Sequence, residues 1–111
     1  MNIINNIFLK YSRNMLKEID LSRANPMKYQ MEWFRYLITN GAETAFGKEH
    51  GFDSIKSIKD FQHRVPGRDY NHTAPYINRM LQGEDYVLWN KKVRMFAKSS
   101  GTSSDKSKYI P

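Results

Sequence analysis

At 111 residues, with 40% apolar and 14% aromatic content, the chain is long enough for one small domain and too apolar to be disordered throughout. It has no cysteine, which excludes disulfides and thiolate chemistry. No stretch approaches the roughly 20 apolar residues of a spanning helix, and the asparagine-broken amino terminus is unlike a secretory signal. We therefore expect a cytoplasmic protein that does not engage a membrane.

The positive charge is concentrated at one end of the chain. Residues 91–111 hold six basic residues and one acidic residue, a net +5 of the total +7. The other 90 residues are therefore close to neutral at +2. This distribution favours an anionic ligand bound near the carboxyl-terminal end over a basic surface spread across the domain.

Two amphipathic helices are predicted first. Over residues 2–18 apolar side chains recur at three- and four-residue steps. Asn25 and Pro26 are typical of a helix start, and the apolar stripe that follows continues to Phe46 and Gly47. Three aromatic residues lie on a second face of this helix: Tyr29, Trp33 and Tyr36.

Two shorter helices are expected next. Ser57 and Asp60 match a capping box with Asp in place of Glu, and the helix they begin ends at Pro66. In the fourth helix we expect Asn71 as the cap, Pro75 in the first turn and Gly83 at a left-handed end.

Residues 86–89 and 93–97 then read as extended segments on either side of a turn. The chain is thus predicted to be mostly α, with about four helices over residues 1–85, followed by a short β element and a loop over residues 86–111. This order is typical of the beginning of an α/β domain.

A hydroxyl-rich loop follows the last predicted strand. Gly101 allows consecutive N–H groups to converge, and its neighbours add hydroxyl donors, so the loop can wrap phosphate oxygens while Lys106 and Lys108 neutralise charge. The same composition is also typical of a flexible linker. The loop is not a Walker A motif, because no second glycine precedes the lysine.

The order Ser-Ser-Gly-Thr-Ser, followed by Lys and then Ile-Pro, resembles the first phosphate-binding motif of adenylate-forming enzymes. More narrowly, it resembles the auxin-responsive-promoter (Gretchen Hagen 3) family of acyl-acid amido synthetases. The resemblance covers about residues 30–111, and its upstream parts are residues 44–52, 58–61, 65–66, 70, 75–77 and 80–84.

The resemblance implies the amino-terminal portion of a larger α/β enzyme. Such an enzyme uses ATP and Mg²⁺ to convert a carboxylic acid into an acyl-adenylate, then passes the acyl group to an amine, commonly an amino acid. The catalytic groups and any metal ligand would follow Pro111, so the chain alone is expected to be inactive. The residues that the resemblance places against the ATP phosphates are Ser99, Ser100, Gly101, Thr102 and Ser103, with Lys108 at the motif's basic position. Asp105 departs from the glycine of plant members.

Two alternatives stay open from the residues alone. The pI of 9.7 is compatible with a small basic helical module that binds nucleic acid or another polyanion, although the amidosynthetase interpretation predicts no nucleic acid partner. The face from Trp33 to Tyr36 is compatible with an interaction module.

His50, His63 and His72 lack metal-ligand spacing, so no metal site is predicted among them.

Overall fold

The computed structural model describes residues 2–101 and 107–111. Over those residues it is mostly helical and carries a short two-stranded sheet, which confirms the predicted class. The elements in chain order are α1 (Ile3–Ala24), α2 (Pro26–Gly41), α3 (Ala45–Glu49), a 3₁₀ turn (Phe52–Ser54), α4 (Ile58–Arg64), α5 (Tyr70–Leu81), β1 (Ala97–Lys98) and β2 (Tyr109–Ile110).

The chain divides into two units after Arg35. The first unit holds α1, which continues to Ala24, beyond the predicted end at residue 18, and the beginning of α2. No residue of α1 is buried, and Ile4 and Phe8 are 74% and 64% exposed. The apolar stripe predicted for this helix is therefore uncovered in the structure.

The second unit contains the apolar core. Its fully or nearly buried side chains come from α2, α5 and the segments around them: Ile38, Ile55, Ile77, Met80 and Val87. Phe46 packs edge-to-face against Phe52 and Tyr76, with ring centroids 5.9 and 5.3 Å away. This aromatic group joins α3, the 3₁₀ turn and α5.

The predicted second helix is two helices in the structure, a correction that rests on Thr44. The buried Thr44 side chain accepts a hydrogen bond from the Gly47 N–H at 2.9 Å and donates to the Gly41 carbonyl at 2.6 Å. It is thus the N-cap of α3, and α2 ends at Gly41. A threonine that satisfies a free N–H at a new helix start competes with continuation of the old helix.

The strands predicted over residues 86–89 and 93–96 are absent from the structure, and in the first of them two backbone carbonyls are used elsewhere. The Tyr86 and Val87 carbonyls accept hydrogen bonds from the N–H groups of Ala45 and Phe46 at 2.8 and 3.1 Å. These N–H groups belong to the first turn of α3 and have no partner within that helix. Tyr86 takes a positive φ of 56°, which breaks an extended run. Only Ala97 of the predicted strands lies in β1.

Of the two ends predicted for α5, the carboxyl-terminal end is confirmed and the amino-terminal cap is wrong. Gly83 has a φ of 92° just after the helix, and the N–H groups of Gly83 and Glu84 donate to Met80 and Arg79 at 3.0 Å, which confirms the left-handed end. The predicted cap Asn71 is wrong, because Asp69 accepts the His72 N–H and is the N-cap. Since α5 therefore begins at Tyr70, Pro75 lies inside the helix rather than in its first turn.

The capping box of α4 is confirmed. Ser57 Oγ accepts the Asp60 N–H at 3.1 Å, while the Asp60 carboxylate accepts the N–H groups of Ser57 and Lys56 at 2.9 and 3.1 Å. Hydrogen bonding by the Ser57 side chain, followed by these backbone donors, lowers the pKa of Asp60 below its ordinary 3.8. Folding is therefore favoured by the ionised carboxyl.

We expect Ser57→Ala to lower the free energy of unfolding by about 1 kcal/mol at neutral pH. The folded-state pKa of Asp60 is lowered, so its contribution is complete above the ordinary value and is lost as the pH falls through the folded value. The difference between wild type and variant should thus be smaller at about pH 3 than at neutral pH. Urea denaturation followed by circular dichroism measures both values.

Ser22→Ala is the control, because this hydroxyl bonds the Ile19 carbonyl within α1 and caps no helix. Its effect should be close to zero at both pH values. An equal loss of stability for Ser57→Ala at the two pH values would contradict the linkage with Asp60.

Candidate phosphate-binding site

Ser99 and Lys108 close the base of the hydroxyl-rich loop. Strands β1 and β2 pair antiparallel, with Ala97 opposite Ile110 and Lys98 opposite Tyr109. One step further, the Ser99 N–H donates to the Lys108 carbonyl, and the Lys108 N–H donates to Ser99 Oγ, both at 2.9 Å. The two ends of the hydroxyl-rich segment, Ser99 and Lys108, are therefore held together beside the hairpin.

The structure describes four of the six predicted phosphate-binding residues. Ser99 is half-buried, and Ser100, Gly101 and Lys108 are exposed. Thr102 and Ser103 lie outside the described residues, as do Ser104, Asp105 and Lys106. Ser99 and Lys108 are distant in sequence and are brought together, whereas the contacts of all six with phosphate stay a prediction.

The Ser99 hydroxyl has a structural contact that the sequence did not indicate. Its oxygen accepts the Lys108 N–H, and a hydroxyl that accepts one hydrogen bond can also donate one. The Ser99 hydroxyl can thus accept the hydrogen bond from the Lys108 N–H and donate one to a ligand at the same time.

Tyr70 contacts this hairpin from α5. Its hydroxyl donates to the Tyr109 carbonyl at 3.2 Å and accepts the Tyr109 N–H at 2.9 Å. The Lys108 ammonium lies 5.7 Å from the centroid of the Tyr70 ring, and the Lys98 ammonium lies 5.7 Å from that of Tyr109. The sequence offered no sign of this contact beyond the place of Tyr70 in the family resemblance.

The chemistry of these side chains suits phosphate oxygens. Hydroxyl groups, backbone N–H groups and two ammonium groups are donors and cations. Mg²⁺ prefers carboxylate and other oxygen ligands. Among the described loop residues 99–101 and 107–108 there is no carboxylate, so these residues fit the nucleotide phosphates and not a directly bound Mg²⁺.

A separate cavity of about 570 Å³ lies between α3 and α5. Its lining includes Glu49, His50, Tyr76 and Arg79. Tyr76 donates its hydroxyl proton to Glu49, and this hydrogen bond raises the pKa of Tyr76. Arg79 donates to both carboxylate oxygens of Glu84, with Nε 2.8 Å from one of them. The two charged side chains Glu49 and Arg79 at this cavity thus each have a hydrogen-bond partner, Tyr76 and Glu84.

Two of the three histidines, His50 and His72, have local partners. His50 stacks on Phe46 at 4.0 Å with Nδ1 2.8 Å from the Phe46 carbonyl, and His72 Nδ1 is 2.6 Å from the Asp69 carboxylate. Hydrogen bonding with His72 lowers the pKa of Asp69. Within residues 2–101 and 107–111, no three His, Asp or Glu side chains form a group suited to a metal ion.

In the part of the chain that the structure describes, no helix combines the length and the apolarity that a membrane span requires.

Comparison with curated proteins finds plant amido synthetases. The chain is 28% identical over 101 residues to the indole-3-acetic acid-amido synthetase GH3.6 of Arabidopsis thaliana, covering 90% of this chain and 16% of the relative. It is 29% identical to the indole-3-acetic acid-amido synthetase GH3.2 of the same plant, an alignment that covers 86% of this chain and 18% of the relative. It is 22% identical to the jasmonoyl--L-amino acid synthetase JAR4 of Nicotiana attenuata, an alignment that covers 87% of this chain and 17% of the relative. The chain thus spans less than a fifth of these relatives.

No solved structure matches the chain. The family comparison matches residues 15–111 to the "GH3 family N-terminal domain", a range that includes the hairpin and the loop it closes. This match confirms the resemblance seen in the sequence motifs. The chain therefore belongs to the GH3 family.

Proposed function

We propose that this chain is the amino-terminal part of an ATP-dependent acyl-acid amido synthetase, and that residues 1–111 belong to its larger adenylate-forming domain. The observation that carries the proposal is the family match, which runs through the closed loop at Ser99 and Lys108. The names of the relatives denote amide formation on indole-3-acetic acid and joining of a jasmonoyl group to an amino acid. A small carboxylic acid and an amino acid are accordingly the proposed substrates.

In the proposed reaction, a carboxylate oxygen of the acid attacks the α-phosphorus of ATP. The bond from that phosphorus to the bridging oxygen of the β-phosphate breaks, and pyrophosphate leaves with the electron pair. The amine nitrogen then attacks the acyl carbon, the bond from that carbon to the AMP oxygen breaks with AMP leaving, and the nitrogen gives up a proton to solvent to form the amide. Negative charge on the departing pyrophosphate must be stabilised, which fixed donors and cations do well.

The loop would supply these donors and cations. Ser99 to Ser103 offer hydroxyl and backbone N–H groups, and Lys108 offers an ammonium group at the base of the loop. A loop held by a hairpin presents its donors at lower entropic cost than a free tail does. Mg²⁺ would accompany the nucleotide phosphates. The 111 residues alone would be inactive, and the full enzyme is proposed to be cytoplasmic.

Acid-dependent exchange of labelled pyrophosphate into ATP tests the proposal in the full-length protein. The acids tried should include indole-3-acetic and jasmonic acid, followed by a wider set of small carboxylic acids. We expect exchange with at least one acid and none with the 111-residue chain. Absence of exchange with every acid, together with salt-sensitive binding to phosphocellulose, would favour the polyanion-binding alternative.

A further inference from the structure

Tyr70 lies at the capped start of α5. Asp69 caps this helix through the His72 N–H at 3.3 Å, and Tyr70 is the first helical residue. The tyrosine therefore projects from the first turn of a helix whose end is determined by a side-chain cap. Such an anchor is more rigid than a residue on a loop.

Tyr70 bonds the outer edge of the hairpin. Ser99 and Lys108 hydrogen-bond to each other, and hydrogen-bonded pairs alternate with non-hydrogen-bonded pairs along an antiparallel ladder. The next pair, Lys98 and Tyr109, is therefore non-hydrogen-bonded, and the backbone N–H and carbonyl groups of both residues point outward from the hairpin. The outward N–H and carbonyl of Tyr109 both meet the Tyr70 hydroxyl, at 2.9 and 3.2 Å. The Tyr70 hydroxyl thus makes the two backbone hydrogen bonds that a third, neighbouring strand would otherwise make with Tyr109.

Such an anchor is needed because the hairpin is very short. Each strand has only two residues, and an isolated two-stranded hairpin is marginal even when it is longer. The anchored residue, Tyr109, directly follows Lys108, and the Lys108 ammonium is also 5.7 Å from the Tyr70 ring centroid. Tyr70 therefore restrains both the backbone beside Lys108 and the position of its charged group.

We propose that Tyr70 is a positioning residue that holds the base of the loop and the Lys108 ammonium in the geometry that binds the ATP phosphates. This inference rests on the proposed function. Tyr70 itself does not touch the nucleotide; it acts through Tyr109 and Lys108.

The test uses Tyr70→Phe and Tyr70→Leu in the full-length enzyme. Phenylalanine keeps the ring and removes the hydroxyl, so we expect the KM for ATP to rise about fivefold. Leucine also removes the aromatic face, and we expect a rise of about 20-fold. The KM for the carboxylic acid should be unchanged in both variants. Steady-state pyrophosphate exchange at varied ATP and varied acid separates the two constants.

Tyr76→Phe is the matched control. It makes the same substitution on the same helix and also removes one hydroxyl hydrogen bond, to Glu49 instead of the hairpin. Its KM for ATP should stay at the wild-type value. An equal rise in Tyr76→Phe, or a parallel rise in the KM for the acid, would show a general loss of structure and overturn the positioning role.

Hydrogen exchange gives a second measurement that does not depend on turnover. The Tyr109 amide should exchange faster in Tyr70→Phe, because its hydrogen-bond acceptor is gone. Suppose that the wild-type enzyme catalyses pyrophosphate exchange, and that Tyr70→Phe changes neither the KM for ATP nor the hydrogen-exchange rate of the Tyr109 amide. The positioning role of Tyr70 then fails, and the proposed function stands. If the wild-type enzyme shows no exchange of pyrophosphate, both fail.

Discussion

Replacement of Lys108 by methionine in the full-length enzyme is expected to lower kcat/KM for ATP about 100-fold, as does the loss of one charge-stabilising group in other enzymes. Methionine keeps most of the aliphatic stem and removes the ammonium group. The backbone of Lys108 would still bond Ser99, so the loop should stay closed. Acid-dependent pyrophosphate exchange at limiting ATP measures the effect.

Lys59→Met is the control for this variant. Lys59 is an exposed lysine on α4, outside the candidate site. Its replacement removes the same charge from the protein and should change kcat/KM for ATP less than about twofold, because exposed charges at a distance are screened by salt. A similarly small change in Lys108→Met would remove this residue from the phosphate site.

Replacement of Gly47 by alanine is expected to destabilise the fold by about 3 kcal/mol. In an ordinary helix this change is stabilising, because alanine restricts the unfolded backbone and favours helix. Here an added Cβ would lie 1.9 Å from the Gly41 carbonyl oxygen and 2.8 Å from its carbonyl carbon. Both are backbone atoms, so α2 and α3 would have to move apart. Urea denaturation followed by circular dichroism measures the loss.

Gly67→Ala separates this clash from a general effect of removing glycine. Among residues 2–101 and 107–111, no atom outside Gly67 and its two chain neighbours lies within 4 Å of the Cβ that would be added at Gly67. Its stability should therefore stay within about 0.5 kcal/mol of wild type or rise slightly. A neutral Gly47→Ala would contradict the close approach of α3 to the Gly41 carbonyl.

The helix starts that the sequence predicted correctly depend on neighbouring residues. Pro26 begins α2, and Ser57 with Asp60 caps α4, through contacts that span at most three or four positions. Gly83 ends α5 for the same local reason. Residue type at these positions is enough to predict the backbone, because a cap is satisfied within its own turn.

The errors had two causes: a distant segment supplied the partner of the predicted strand at Tyr86, and local caps at Thr44 and Asp69 were overlooked. The strand predicted at Tyr86 is absent because its carbonyl and that of Val87 bond the first turn of α3, far earlier in the chain. The end of α2 was missed because Thr44 starts a new helix whose Gly47 packs on Gly41. β-propensity and apolar periodicity contain no information about such partners.

For the candidate site, the sequence by itself determined the order of hydroxyls, glycine and lysine and the family to which they belong, because a motif is a property of residue order. Only the tertiary structure decided that Ser99 meets Lys108 and that the Tyr70 hydroxyl holds the next residue. These contacts join positions 9 and 39 residues apart. They form only when the chain has folded and the backbone groups left free by a two-residue strand find a donor and an acceptor on α5.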